Sequence, residues 1–227
     1  MSLLNVVVGD GIAWLCVDTN SRSVAGDHSF QQSKMVSLAH HSAVIACRGE
    51  LSFLAHVFLN CFLTPEQDFD SLLESWRRRL AEATAGYLQM AEANKWEAAA
   101  VGHEVVLLGW SNTRGQPVCL AARRQSAKDE FETTEVTCRI APDPGRKVSN
   151  LSNLSEIEAL ARDQVHAVRR DNPGEPTVGS CCWPKCRAAR WRFENWRRWT
   201  EGNRRSKANR RKAKTIFAGT DPKKIPN

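Results

Sequence analysis

Long hydrophobic runs are missing from this 227-residue chain: no stretch of ~18 apolar residues exists, so nothing reads as a membrane-spanning helix. No basic segment precedes an apolar one at the N-terminus, which argues against a secretory signal. GxSxG and HExxH are both missing, and with them the common serine-hydrolase elbow and the metalloprotease helix. No glycine-rich loop is present to cradle a phosphate. The eight cysteines include no CxxC pair, and Cys181, Cys182 and Cys186 lack an obvious fourth ligand, so no zinc site is expected. His40 and His41 are read as surface residues, because adjacent side chains on an extended segment point to opposite faces and seldom share a metal. No cofactor is called for.

What is present supports a folded body. The apolar share of 42% suits one domain of ~150–200 residues plus a tail. Cys16, Cys47, Cys61 and Cys119 lie inside apolar runs, as buried free thiols do in a reducing compartment, and a cytoplasmic protein is expected. Charge divides the chain near Ser180. Residues 1–180 hold 17 Lys and Arg against 22 Asp and Glu, a net of −5, whereas residues 181–227 hold 15 against 3, a net of +12. Residues 1–180 are read as the domain and 181–227 as a basic extension that carries four of the eight tryptophans.

Along the body, Asn5 to Val8 and Ile12 to Val17 are strand-length apolar runs around Gly9-Asp10-Gly11, a hairpin pattern. A strand follows over Met35 to Leu38. Leu51 to Phe62 reads as a buried helix stopped by Pro65. Asp68 and Asp70 are placed to cap a second helix reaching about Asn94, with Phe69, Leu72, Leu73, Trp76, Leu80 and Ala83 on its apolar stripe and Arg77 to Arg79 on its wet side. Glu104 to Trp110 and Gln116 to Ala122 flank the turn Ser111 to Gly115. One more strand is expected over Glu130 to Ile140, and after Ala141-Pro-Asp-Pro-Gly145 a helix from an Asn153/Glu156 capping box to about Arg170. Glu175 to Ser180 looks like the start of another strand.

The chemistry-bearing pattern lies at the N-terminus. Asp18 is sixteen positions beyond Ser2, and Lys34 sixteen beyond Asp18. Once Met1 is removed, the free amine of Ser2 can act as base for its own hydroxyl if a lysine and an aspartate organise the charges. Taken singly, Asp18 is an ordinary turn former and Lys34 an ordinary solvated charge. The stretch Asn5 to Gly26, followed by Ser33-Lys34-Met-Val-Ser-Leu38 and Ala43-Val-Ile-Ala-Cys-Arg-Gly49, resembles the start of a proteasome β-type subunit, an N-terminal-nucleophile hydrolase.

That resemblance covers roughly residues 2–180 and implies an α+β fold, the four-layer αββα sandwich. It also implies Ser2, Asp18 and Lys34 as catalytic residues, a peptide or amide substrate, and homo-oligomeric assembly. Serine replaces the threonine usual in the family, with the same hydroxyl chemistry. The resemblance further implies a backbone oxyanion donor near Cys47 to Glu50. Gapless alignment from Ser2 puts Arg48 where glycine is expected, with Gly49 one residue later. The family's later glycine-and-serine loop has no counterpart in Ala141 to Gly145, and neither Ser149 nor Ser152 takes that role.

The tail suggests a rival reading. Arg190, Trp191, Arg192, Trp196, Arg197, Arg198, Arg204 and Arg205 interleave phosphate-neutralising charge with stacking rings, the pattern of a single-stranded nucleic-acid contact. In that reading the domain is an inactive scaffold and the tail carries the function.

Overall fold

The structure is a computed structural model that describes residues 2–18, 20–22, 29–64, 66–96, 102–145, 148, 151, 154–171 and 187–192. By internal contacts the chain divides into Met1–Trp191 and Arg192–Asn227. The candidate site lies wholly in the first unit. Strands β1 (Leu4–Val8), β2 (Ile12–Val17) and β3 (Asn20–Arg22) are followed by β4 (Ser29–Gln31), β5 (Met35–Leu38) and β6 (Ala43–Arg48). Helices α1 (Leu51–Phe62) and α2 (Phe69–Ala93) come next, then β7 (His103–Ser111), β8 (Gln116–Arg124), β9 (Glu132–Glu135) and β10 (Cys138–Ala141). Helix α3 (Leu154–Asp171) and β11 (Arg187–Arg192) complete the order.

These elements form a mixed α/β fold with antiparallel sheets. One sheet has the order β10-β1-β2-β11, another the order β5-β6-β7-β8-β9, and β3 and β4 make a separate two-stranded ladder. Period-two alternation assigns the faces. Ile45, Cys47, Val105 and Leu107 pack against Phe53 and Val57 of α1 and Leu72, Trp76, Leu80 and Tyr87 of α2. Their neighbours Val44, Ala46, Val106 and Leu108 point the other way and are equally buried, as are Leu4, Val6 and Leu15 of the first sheet. The two sheets approach through β1 with β6 and β8. Beyond the first sheet, Trp14 and Cys16 pack with Ile157 and Ala161 of α3.

A buried amide pair fastens α3 to β1. Asn5 Nδ2 donates to Gln164 Oε1 at 2.6 Å, and Gln164 Nε2 donates to Asn5 Oδ1 at 3.0 Å and to the Pro142 carbonyl at 2.5 Å. The Ala141 N–H also reaches Asn5 Oδ1, at 3.2 Å. Two amides that satisfy each other in the core specify one docking of the helix, since any slip would leave buried donors unpaired.

The hairpin at Gly9–Gly11, the strand Met35–Leu38, the first two helices and the turn after Ser111 stand where the sequence places them. Several other expectations are corrected. Glu130 to Ile140 is not one strand: β9 pairs with β8 and β10 with β1, so the segment passes from one sheet to the other. Arg79 does not belong to a wet face. It is buried, with Glu66 Oε1 at 2.5 Å from Nη2 and Glu82 Oε2 at 3.0 Å from Nη1. Burial alone would raise the Glu66 carboxyl, but hydrogen bonds from Arg79, Thr64 and Ser75 bring it down to about 2. Helix α1 is buried on one side only, leaving Leu59, Phe62 and Leu63 exposed. His41 is buried rather than superficial, its Nε2 3.1 Å from the Cys61 carbonyl, because the segment forms a 3-10 turn instead of an extended run. Asp68 caps α2 through the Ser71 N–H at 2.9 Å, whereas Asp70 Oδ2 reaches the Thr113 N–H and hydroxyl, both at 2.9 Å. Cys16, Cys47, Cys61 and Cys119 are buried. Asn153, Glu175 to Ser180 and Cys181, Cys182 and Cys186 lie outside the described residues.

Gly109 on β7 lets α2 sit close to the sheet. A Cβ there would come within 2.5 Å of the Phe69 ring at the start of that helix. Gly109→Ala is expected to lower stability by about 1–3 kcal/mol, the usual range for overpacking. Urea denaturation followed by tryptophan fluorescence measures it; an unchanged midpoint would show that the Phe69 ring yields freely.

Candidate active site

The β1–β2 register pairs Leu4 with Val17, so Leu3 and Asp18 leave the ladder side by side. The Leu3 N–H donates to Asp18 Oδ1 at 2.8 Å. The other carboxylate oxygen, Oδ2, faces Lys34 Nζ at 2.7 Å. Lys34 comes from the other sheet: it immediately precedes β5, and its carbonyl accepts from the Cys47 N–H of β6 at 3.0 Å. From there its ammonium donates to Ser2 Oγ at 2.9 Å. Asp18 is 4% exposed and Lys34 3%, so both charges are withdrawn from water and each depends on the other. The three residues singled out by spacing are thus brought together. As acceptor of the lysine's hydrogen bond, Ser2 Oγ keeps its own proton free for a base, and a cation held against the oxygen favours its anionic form.

Ser2 lines a cleft of about 300 Å³ together with Arg48, Gly49, Gly102, His103, Glu104, Arg123, Arg124 and Gln125. Both oxyanion candidates therefore border it. Gly49 has a φ of +135°, and a Cβ there would lie 2.8 Å from the His103 ring and 3.0 Å from the Gly102 carbonyl, so only glycine fits. Arg48 lines the cleft without closing it: Nη1 is held by Glu104 Oε2 at 3.1 Å. Glu104 also accepts from Arg139 of β10.

Behind the cleft, Arg124 Nε donates to His103 Nδ1 at 3.2 Å, and its Nη1 reaches Thr84 Oγ1 at 3.2 Å and the Ala127 carbonyl at 3.1 Å. The guanidinium carbon stands 4.5 Å from the Phe53 ring centre and 4.6 Å from that of Phe131. Burial, aided by the Arg124 charge, pushes His103 down to about 3, so its imidazole is neutral at pH 7. Burial pushes the Cys47 thiol up to about 12, which leaves it unsuited to nucleophilic work.

No family model matches the chain, and no curated protein does. Among solved structures, Anbu (ancestral beta-subunit) from Yersinia bercovieri matches over 100% of both chains, with a TM-score of 0.53 at 12% identity. The chain is similar in fold to Anbu. A mutant Anbu from Hyphomicrobium sp. strain MC1 aligns over 95% of this chain and 99% of its own at 14% identity, TM-score 0.49. Another structure of Anbu from that strain aligns over 99% and 100% at 13% identity, TM-score 0.47.

Sequence reasoning missed His103, Glu104, Arg123 and Arg124. One signal was available: the turn pairs Ser111 with Gln116, and counting back along both strands sets Glu104 opposite Arg123. Nothing local pairs Arg48 with Glu104, which the β6–β7 register does. Of the nucleic-acid-contact candidates, Arg190, Trp191 and Arg192 fall in β11, while Trp196, Arg197, Arg198, Arg204 and Arg205 lie outside the described residues.

Because His103 is neutral when folded and free to protonate when unfolded, it contributes stability above pH ~6.5 that is lost as pH falls toward about 3. Glu66, at about 2, titrates below most of this window. Between pH 6.5 and 5 the native protein is expected to lose about 1.5 kcal/mol through this residue. Urea titrations of wild type and His103→Gln, which keeps an acceptor for Arg124, check it: parallel pH slopes would show that the imidazole carries no such linkage.

Proposed function

We propose that the chain is a proteasome-β-like N-terminal-nucleophile hydrolase that cleaves an amide or peptide bond through Ser2 after removal of Met1. The carrying observation is Lys34 Nζ, buried and placed between Ser2 Oγ at 2.9 Å and Asp18 Oδ2 at 2.7 Å. The fold likeness to Anbu, in a mixed α/β fold with antiparallel sheets, supports it.

In this mechanism Ser2 Oγ attacks the substrate carbonyl carbon while its proton passes to the α-amine of the same residue. Lys34 stabilises the charge that develops on Oγ, and Asp18 orients and balances Lys34. Backbone N–H groups at Arg48 and Gly49 are the candidates to receive the carbonyl oxyanion. The protonated amine then gives its proton to the leaving nitrogen as the C–N bond breaks. Water hydrolyses the resulting ester and restores the hydroxyl.

Intact mass and N-terminal sequencing of untagged protein are expected to show a chain starting at Ser2 with a free amine. Against a panel of fluorogenic peptides, Ser2→Ala is expected to reduce turnover to background, and Ser2→Thr to retain it. Retained Met1, or turnover that survives Ser2→Ala, would overturn the mechanism.

Homo-oligomeric assembly is proposed alongside, from the likeness to a protein named a beta-subunit and from the exposed Leu59, Phe62 and Leu63 at the end of α1. Light scattering on the purified chain is expected to return a multiple of 25.4 kDa; a monomer at micromolar concentration would remove this part of the reading.

A further inference from the structure

We propose that the cleft beside Ser2 takes substrates carrying a carboxylate next to the scissile bond, with Arg123 as the reachable group that selects them. This deepens the hydrolase reading and rests on it for the location of the bond.

Three guanidinium groups line the cleft against one carboxylate. Register aligns them: Arg48 on β6 stands opposite Glu104 on β7, and Glu104 opposite Arg123 on β8. Directly opposed residues share a sheet face, so the three side chains form a row beside the cleft. Glu104 is already shared between Arg48 and Arg139, which leaves it spent on two cations. Arg123 is exposed and makes no ion pair among the described residues. Its partner on the far side, Glu132, sits opposite in the β8–β9 ladder but does not line the cleft.

Arg124 adds a charge from behind. It is 3% exposed, and its hydrogen bonds go to His103, Thr84 and the Ala127 carbonyl, with no carboxylate among them. Asp129 balances it only at longer range, and no carboxylate forms a salt bridge with it among the described residues, so its field reaches the nearest accessible cavity, where screening by water is weakest. Lys34 and Asp18 cancel as a pair, and His103 is neutral, so neither offsets the excess. An acidic side chain entering the cleft would meet the Arg123 fork in a geometry suited to bidentate recognition, whereas a lysine or arginine side chain would be repelled.

The test uses the full chain with Ser2→Ala, so that binding is read without turnover. Short fluorescein-labelled peptides identical except for Glu, Gln or Lys at one position are titrated by fluorescence anisotropy. The Glu peptide is expected to bind about 10-fold tighter than the Gln peptide at low salt, with the gap narrowing as salt rises. Arg123→Gln is expected to erase that gap, and Arg123→Glu to shift preference to the Lys peptide. The basic tail is present in every variant, so a Glu preference that persists in Arg123→Gln comes from elsewhere and overturns the proposal. Equal affinity for the Glu and Gln peptides, or binding of neither, overturns it too. If wild type cleaves none of these peptides while the Arg123-dependent preference holds, the hydrolase reading fails and the acid-selective cleft stands.

Discussion

The contact on which the site depends is the buried ion pair of Lys34 and Asp18. Asp18 immediately follows β2 of one sheet, and Lys34 is pinned by its own carbonyl to β6 of the other. The pair therefore sets the distance between the sheets at the end where Ser2 emerges. Neither charge could be removed alone without stranding its partner in a nearly dry site, at a cost of several kcal/mol. Hydrophobic side chains of similar volume would serve stability as well. What they could not do is present an ammonium to a hydroxyl.

The cleft next to this pair is organised differently. Within the pair, charges are matched one to one; along the Arg48–Glu104–Arg123 row and behind it at Arg124, positive charge is in excess. Matched charge makes a rigid support, while unmatched charge acts outward on whatever enters. Gly49 joins the two regions. A Cβ at this position would collide with the His103 ring and the Gly102 carbonyl, so the turn leading from β6 into α1 accepts only glycine there.

Much of the fold was legible because it is written in local periodicity. The β1–β2 and β7–β8 hairpins, β5 and the first two helices follow from apolar spacing and turn residues that act over a few positions. Legibility failed where a residue's surroundings come from distant segments. Arg79 has the spacing of a surface arginine and is buried because Glu66 reaches it from the preceding loop. Glu130 to Ile140 reads as one strand but serves two sheets, since β1 offers β10 an edge that no local pattern announces. The Asn5–Gln164 pair joins residues 159 positions apart.

For the site, the sequence alone determined the identity and order of Ser2, Asp18 and Lys34 and put Asp18 just past one strand and Lys34 just before another, because hydrophobic alternation delimits strands and leaves the polar residues at their ends. Tertiary structure decided the rest. That Lys34 is buried, that it spans from one sheet to the other, and that Arg48, Glu104 and Arg123 share a face are consequences of sheet register and of sheet meeting sheet. Those depend on contacts between residues far apart in the chain, whose energies no short window of sequence contains.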